Sequence, residues 1–266
     1  MKKVSLFITL LTISLSTFAQ VVIPADSLKK HVYFLASDSL EGRGLSTQSG
    51  LQAANYIASY FKQFGIKPVG EKYLHPFYYR MGQTMLTGNN VVGLIEGSDP
   101  DLKNEYIVLG AHFDHISFKF INGKKVIYNG ADDNATGTAA VIELARALAK
   151  HQGELKRSIV IVAFDGEESG LIGSGEFIKQ NIIEATDIKL MMSIDMIGRY
   201  EESNSLIMGA MGTLTDGEDL LDEIAKKHDI KIKRTGTEVS NRTDSKPFGD
   251  IGIPALHVTS GITGPY

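Results

Sequence analysis

Ser158-Ile159-Val160-Ile161-Val162-Ala163-Phe164 is the segment that most narrows what this chain can fold into. It carries no charge, is rich in β-branched residues, and lacks the apolar–polar alternation of a half-solvated strand. Such a run fits a central strand of a parallel sheet, covered on both faces. Asp165-Gly166-Glu167-Glu168 follows at once, so a buried strand ends in a burst of acid.

The surrounding pattern alternates. Ser27–Ala36 is expected to be a short helix, and Leu51–Phe64 a longer one with Ala54, Ile57, Ala58 and Phe61 at helical spacing, stopped by Gly65. Tyr73–Arg80 and Asn90–Glu96 are expected strands, with a Gly-containing turn between them. Strands are then expected at Tyr106–Leu109, Ser158–Phe164, Lys189–Ile194 and Ile253–Thr259, and an edge strand at Ser205–Met208. Helices are expected at Thr138–Lys150, near Gly175–Gln180 and at Gly217–His228. This order predicts an α/β fold in three layers: a mixed, mostly parallel sheet with helices on both faces. The polar clusters then share one edge. His112 and Asp114 follow one strand, Glu167 and Glu168 the next, and Asp195 a third, while Asp133 lies in the loop entering a helix. The carboxyl edge of such a sheet is where ligands bind.

Composition removes several alternatives. Lys2 and Lys3, an apolar stretch from Val4 to Leu15, and Thr17-Phe18-Ala19 have the form of an export signal over 1–19. Its roughly twelve apolar residues fall short of the roughly twenty that span a bilayer, so no membrane span is expected in the mature chain. The expectation is a single domain over 20–266, exported to the periplasm or outside the cell. Without Lys2 and Lys3 the chain holds 25 basic and 31 acidic residues, with no clustered basic face for nucleic acid. Cysteine is absent, which excludes disulfides and thiolate metal sites.

One imidazole and several carboxylates remain, a donor set zinc accepts when water must stay in its coordination sphere. Each motif has a plainer reading. His112-Phe113-Asp114 is by itself a polar loop after a strand; the functional reading is that Asp114 orients a metal-bound imidazole, by its carboxylate or its backbone. Asp132-Asp133-Asn134 can be a helix cap, and its spacing does not match a calcium loop. Glu167-Glu168 can be a solvated loop, yet adjacent residues point apart, so one can ligate while the other moves a proton. Asp195 at the end of an apolar strand can be paired with Arg199.

Taken in order, His112-Phe113-Asp114, Gly130-Ala131-Asp132-Asp133-Asn134, Glu167-Glu168-Ser169-Gly170 and Asp195-Met196-Ile197-Gly198-Arg199 resemble the zinc aminopeptidases of peptidase family M28. Leu35-Ala36-Ser37-Asp38 and Glu41-Gly42-Arg43-Gly44 are similar to its secreted bacterial members. The resemblance implies two zinc ions bridged by Asp133, one completed by His112 and Asp195 and the other bound by Glu168. It implies Glu167 as general base and peptides with free N-termini as substrates; Asp114, through the imidazole it would orient, is counted with Glu167 among the expected catalytic residues. Asp132 falls on a variable position and takes no role. Thr259–Tyr266 matches the family's run up to a Tyr that contacts substrate, which the family follows with a His ligand. The expectation drawn from this is a C-terminally truncated chain with an incomplete second zinc site. His257 is expected to be a core histidine or one that orients a ligand. Two other readings stand beside the first: a glutaminyl cyclase of the same fold with one zinc, and a non-catalytic binding domain.

Overall fold

A computed structural model describes residues 22–261; the export signal expected over 1–19 and the expected substrate contact Tyr266 lie outside them. In chain order the elements are α1 Ala25–Leu35, α2 Gln48–Gln63, β1 Lys67–Pro68, β2 Leu74–Met81, β3 Thr84–Ile95, β4 Tyr106–His112, β5 Phe118–Ile121, β6 Lys124–Ile127, α3 Gly137–Lys150, β7 Ser158–Phe164, α4 Ile172–Lys179, β8 Ile188–Ile194, α5 Tyr200–Ser203, β9 Leu206–Gly209, α6 Gly217–His228, β10 Ile232–Thr235, α7 Lys246–Gly249 and β11 Ala255–Thr259. The main sheet runs β1-β3-β7-β4-β8-β11-β9-β10, with β2 also paired to β3. Its centre is parallel: β4 pairs in parallel with β7 and β8, and β8 with β11. Antiparallel strands flank that centre on both sides. The three-layer expectation holds.

The apolar run of β7 is explained by what covers it. Ile159, Ile161 and Ala163 face a core built with Ala53, Ile57 and Phe61 of α2 and Val141 and Ala145 of α3. Val160, Val162 and Phe164 face the other core, with Phe177 of α4 and Phe248 of α7. With both faces dry, every residue from Ile159 to Phe164 is apolar, and the one polar residue of the strand, Ser158 at its start, is hydrogen-bonded to Lys103 O and Gly97 N.

Three sequence expectations are corrected. Thr84–Asn89, taken as turn, belongs to β3, and the β2–β3 turn is only Gly82-Gln83; the registered pairing of Met81 with Thr84 closes it. The 205–208 strand is not at the edge. It lies between β11 and β10, and β10 forms the edge. The hairpin β5–β6, in a stretch where no strand is expected from the sequence, forms a separate two-stranded sheet. The helix expected from Leu51 starts earlier, because Thr47 Oγ1 accepts the Gly50 N–H at 3.0 Å and caps it. Among the described residues no helix is long and apolar enough to cross a membrane.

Phe164 closes β7 beside the acidic loop. Its ring packs edge-on against Phe177 and Phe248, at centroid distances of 6.0 and 6.3 Å. A Cβ on Gly110 of β4 would meet that ring at 2.5 Å, so the small residue there makes room for it. Phe164→Ala should cost about 3–5 kcal/mol in chemical denaturation, and a cost under about 1 kcal/mol would show that this packing does not hold the sheet edge.

Candidate metal centre

Because β7, β4 and β8 are parallel neighbours, the residues at their ends arrive at one place. His112 is the last residue of β4 and is 2% exposed. Phe113 N–H donates to Phe164 O at 2.9 Å, so β4 stays joined to β7 one residue further. Asp114 then turns back: its carboxylate accepts the N–H of Glu167 at 3.0 Å and of Glu168 at 3.3 Å. That carboxylate fixes where both glutamates sit. Asp114 also lies beside His112, with its carbonyl oxygen 3.2 Å and its Oδ1 3.6 Å from Nδ1. The carbonyl is within hydrogen-bond distance of the ring, and the carboxylate stands beside it.

Asp133 and Asp195 come from different segments, and Asn134 ties them together. Asn134 Oδ1 accepts from Gly137 N at 2.9 Å and from Met196 N at 3.1 Å, and its Nδ2 donates to Ile194 O at 3.0 Å. The start of α3, the Asp133 turn and the end of β8 therefore move as one piece. Asp132 accepts Gly198 N–H at 2.9 Å and pairs with Arg199 Nε at 3.3 Å, so the variable position is structural.

His112 Nε2 stands 3.3 Å from Asp133 Oδ1 and 3.4 Å from Asp195 Oδ1. Bonds of the length zinc makes to nitrogen and oxygen place tetrahedral ligands about 3.3 Å apart. The Asp195 Oδ1 is buried with no hydrogen-bond partner among the described residues. Spacing, donor type and an unmatched carboxylate oxygen all fit a cation between these three. A second group, His115, Asp133 and Glu168, also gathers its donor atoms within 4.8 Å. His115 Nδ1 and Glu168 Oε1, however, are only 2.5 Å apart, a hydrogen bond rather than the separation of two ligands on one ion. We read His115 as the group that orients Glu168 and leaves its other oxygen for a metal.

The charges in the cavity are crowded. Burial would lower His112, but Asp114, Asp133 and Asp195 outweigh it and hold the imidazole well above its ordinary value. Burial pushes Glu167 up to about 9, with Asp244, Asp114 and Asp195 adding and His112 opposing. Asp244, which motif reading passed over, is 1% exposed. Among the described residues neither of its oxygens has a partner of hydrogen-bond geometry. Burial takes it up to about 7, against the pull of His112 and the nearby Ser174 hydroxyl. His257, expected in the core or orienting a ligand, lines the cavity with no partner for Nδ1 among the described residues, and burial lowers its pKa. The cavity holds about 800 Å³ and is floored by His112, Asp133, Glu167, Glu168 and Asp195.

Residues 90–266 match peptidase family M28. A probable zinc metalloprotease of Pyrenophora tritici-repentis (strain Pt-1C-BFP) is 30% identical over 177 residues, which cover 65% of this chain and 36% of the relative. The chain thus spans about a third of that relative's length. A zinc aminopeptidase from Bacillus subtilis superposes with a TM-score of 0.71 at 14% identity, covering 91% of this chain and 86% of that one. Porphyromonas gingivalis glutaminyl cyclase superposes with a TM-score of 0.65 at 19% identity, covering 90% and 84%. At such low identity these two likenesses carry the fold.

Glu167, Asp244 and His112 all have folded-state pKa values above their unfolded ones. Each therefore contributes stability at low pH that is lost as pH rises. The Asp244 share is gone by about pH 7, while the Glu167 share drains until about pH 9. The buried histidines His31, His75 and His257 are shifted down and act in the opposite sense, on the acid side of their ordinary value. Metal-stripped protein should lose melting temperature between about pH 7 and 9. A flat or rising Tm across that window would contradict the charge arrangement described.

Proposed function

The chain belongs to peptidase family M28, and from that membership we propose that it is a zinc-dependent aminopeptidase with a dinuclear centre. One observation carries the reading: His112, Asp133 and Asp195 stand at the separations of zinc ligands, and Glu167 lines the same cavity. Asp133 would be shared by the two ions, with His112 and Asp195 on one and Glu168 on the other. Bound zinc supplies a Lewis acid for the scissile carbonyl and lowers the pKa of attacking water.

The chain's own residues do the rest. Glu167 accepts a proton from the attacking water and delivers it to the leaving amine nitrogen. Asp114 keeps Glu167 and Glu168 in place through their backbone N–H groups. The carboxylate-rich floor suits a substrate that presents a free ammonium. Tyr266, which we assign a substrate contact, lies outside the described residues. A glutaminyl cyclase remains the second reading, since a protein of that name shares the fold.

The test combines metal content with turnover. Glu167→Gln should retain the metal content of the native protein and lose roughly 10²–10⁴-fold in kcat. If it keeps more than about a tenth of native kcat, Glu167 is not the proton carrier. Asp133→Ala should release both ions, whereas His112→Ala should mainly release one; equal losses in the two variants would remove Asp133 from its bridging role. Incubation with peptides that begin with Gln separates the two enzymatic readings. Release of the first residue supports the aminopeptidase, while a cyclised N-terminus on an uncut peptide overturns it.

A further inference from the structure

Arg43 sits in the Glu41-Gly42-Arg43-Gly44 stretch, to which the proposed chemistry assigns nothing. It is 0% exposed. Its Nε donates to Phe113 O at 2.7 Å, Nη1 to Asn129 O at 2.7 Å and to Leu35 O, and Nη2 to Gly130 O at 2.9 Å. These acceptors lie on three separate segments: the end of α1, the residue between His112 and Asp114, and the approach to the Asp133 turn. One planar group thus spans the two loops that supply His112 and Asp133. The Asn129-Gly130 segment is itself pressed against the site. Gly130 has φ +59°, and a Cβ there would meet the Asp133 carbonyl at 2.3 Å and the His115 ring at 2.6 Å.

Arginine suits this place because its fork presents fixed donors in several directions, while lysine has a single point of charge. A buried guanidinium is costly unless its donors are satisfied; here four carbonyls take four of its five N–H donors. Asp114, Asp133 and Glu168 oppose the downward push of burial on its pKa.

We propose that Arg43 is a positioning residue for the metal centre: by holding the Phe113 and Asn129-Gly130 carbonyls it sets the separation of His112 from Asp133, and hence zinc affinity. The inference rests on the metal reading above. A role through charge alone has the opposite sign, since removing a positive group near carboxylates strengthens their attraction for a dication.

The experiment measures zinc affinity of metal-stripped protein by competition with a chromophoric chelator, together with the visible spectrum of the cobalt-loaded form. Arg43→Lys keeps the charge without the fork, and Arg43→Met removes both. Both variants should bind zinc about 10- to 100-fold more weakly than the native protein, with a shifted cobalt spectrum. Native-like affinity in Arg43→Lys, or tighter binding by Arg43→Met, overturns the proposal. If neither variant folds, Leu40→Ala decides: Leu40 is 2% exposed in the turn that leads into Arg43. It should weaken zinc binding more than Ile57→Ala, in the core side of α2, when the two are compared at matched loss of stability. Equal zinc affinities in that pair also overturn the proposal. Failure of the native protein to bind zinc at all would instead sink the metal reading.

Discussion

Carboxylates packed at the end of a dry sheet repel one another, and the arrangement around them follows from that repulsion. Asp114, Asp133, Glu167, Glu168, Asp195 and Asp244 meet where β4, β7 and β8 end. Two like charges 4 Å apart cost about 4 kcal/mol at an effective dielectric of 20, so each carboxylate needs an answer. Asp114 takes two backbone N–H groups. Glu168 takes the His115 ring. Burial and the neighbouring carboxylates push Glu167 and Asp244 up, toward their neutral forms. Asp133 and Asp195 are arranged around His112, at distances suited to an ion more than to a hydrogen bond.

Much of the fold was legible because its strongest signals are local and unambiguous. The strand Ser158–Phe164 and the helix Gly217–His228 lie where periodicity puts them. The misread elements lack such a signal. Thr84–Asn89 mixes Thr, Gly and Asn with the adjacent apolar pair Met85-Leu86, so it shows no alternation, and its strand conformation comes from pairing with β2. The place of β9 inside the sheet depends on β10 and β11, which its own four residues cannot reveal. In the β5–β6 hairpin the lysines and aromatics hide the alternation, although Asn122-Gly123 at its tip, both at positive φ, is a strong hairpin turn.

In the site, the groups named from motifs were the ones whose chemistry is visible in their residue type, and the structure brings His112, Asp133, Glu167, Glu168 and Asp195 to one cavity. Their supports were harder to see. Asn134 read as a helix cap, and it does accept the Gly137 N–H; its second task, joining Asp133 to the end of β8, spans 62 positions in sequence. His115 lies 53 positions from Glu168. Asp244, in Thr243-Asp244-Ser245, carries no local pattern at all. Only the fold makes neighbours of such residues.

The β5–β6 hairpin leaves the chain just after His115 and rejoins it just before Asn129, and it forms a sheet of its own. Its root is therefore anchored while its body shares no strand pairing with the main sheet. Insertions, deletions and new side chains can accumulate there without shifting the register of any strand that carries a site residue. The hairpin thus adds surface beside the centre without being part of the sheet that carries it, its Lys125 paired with Glu41.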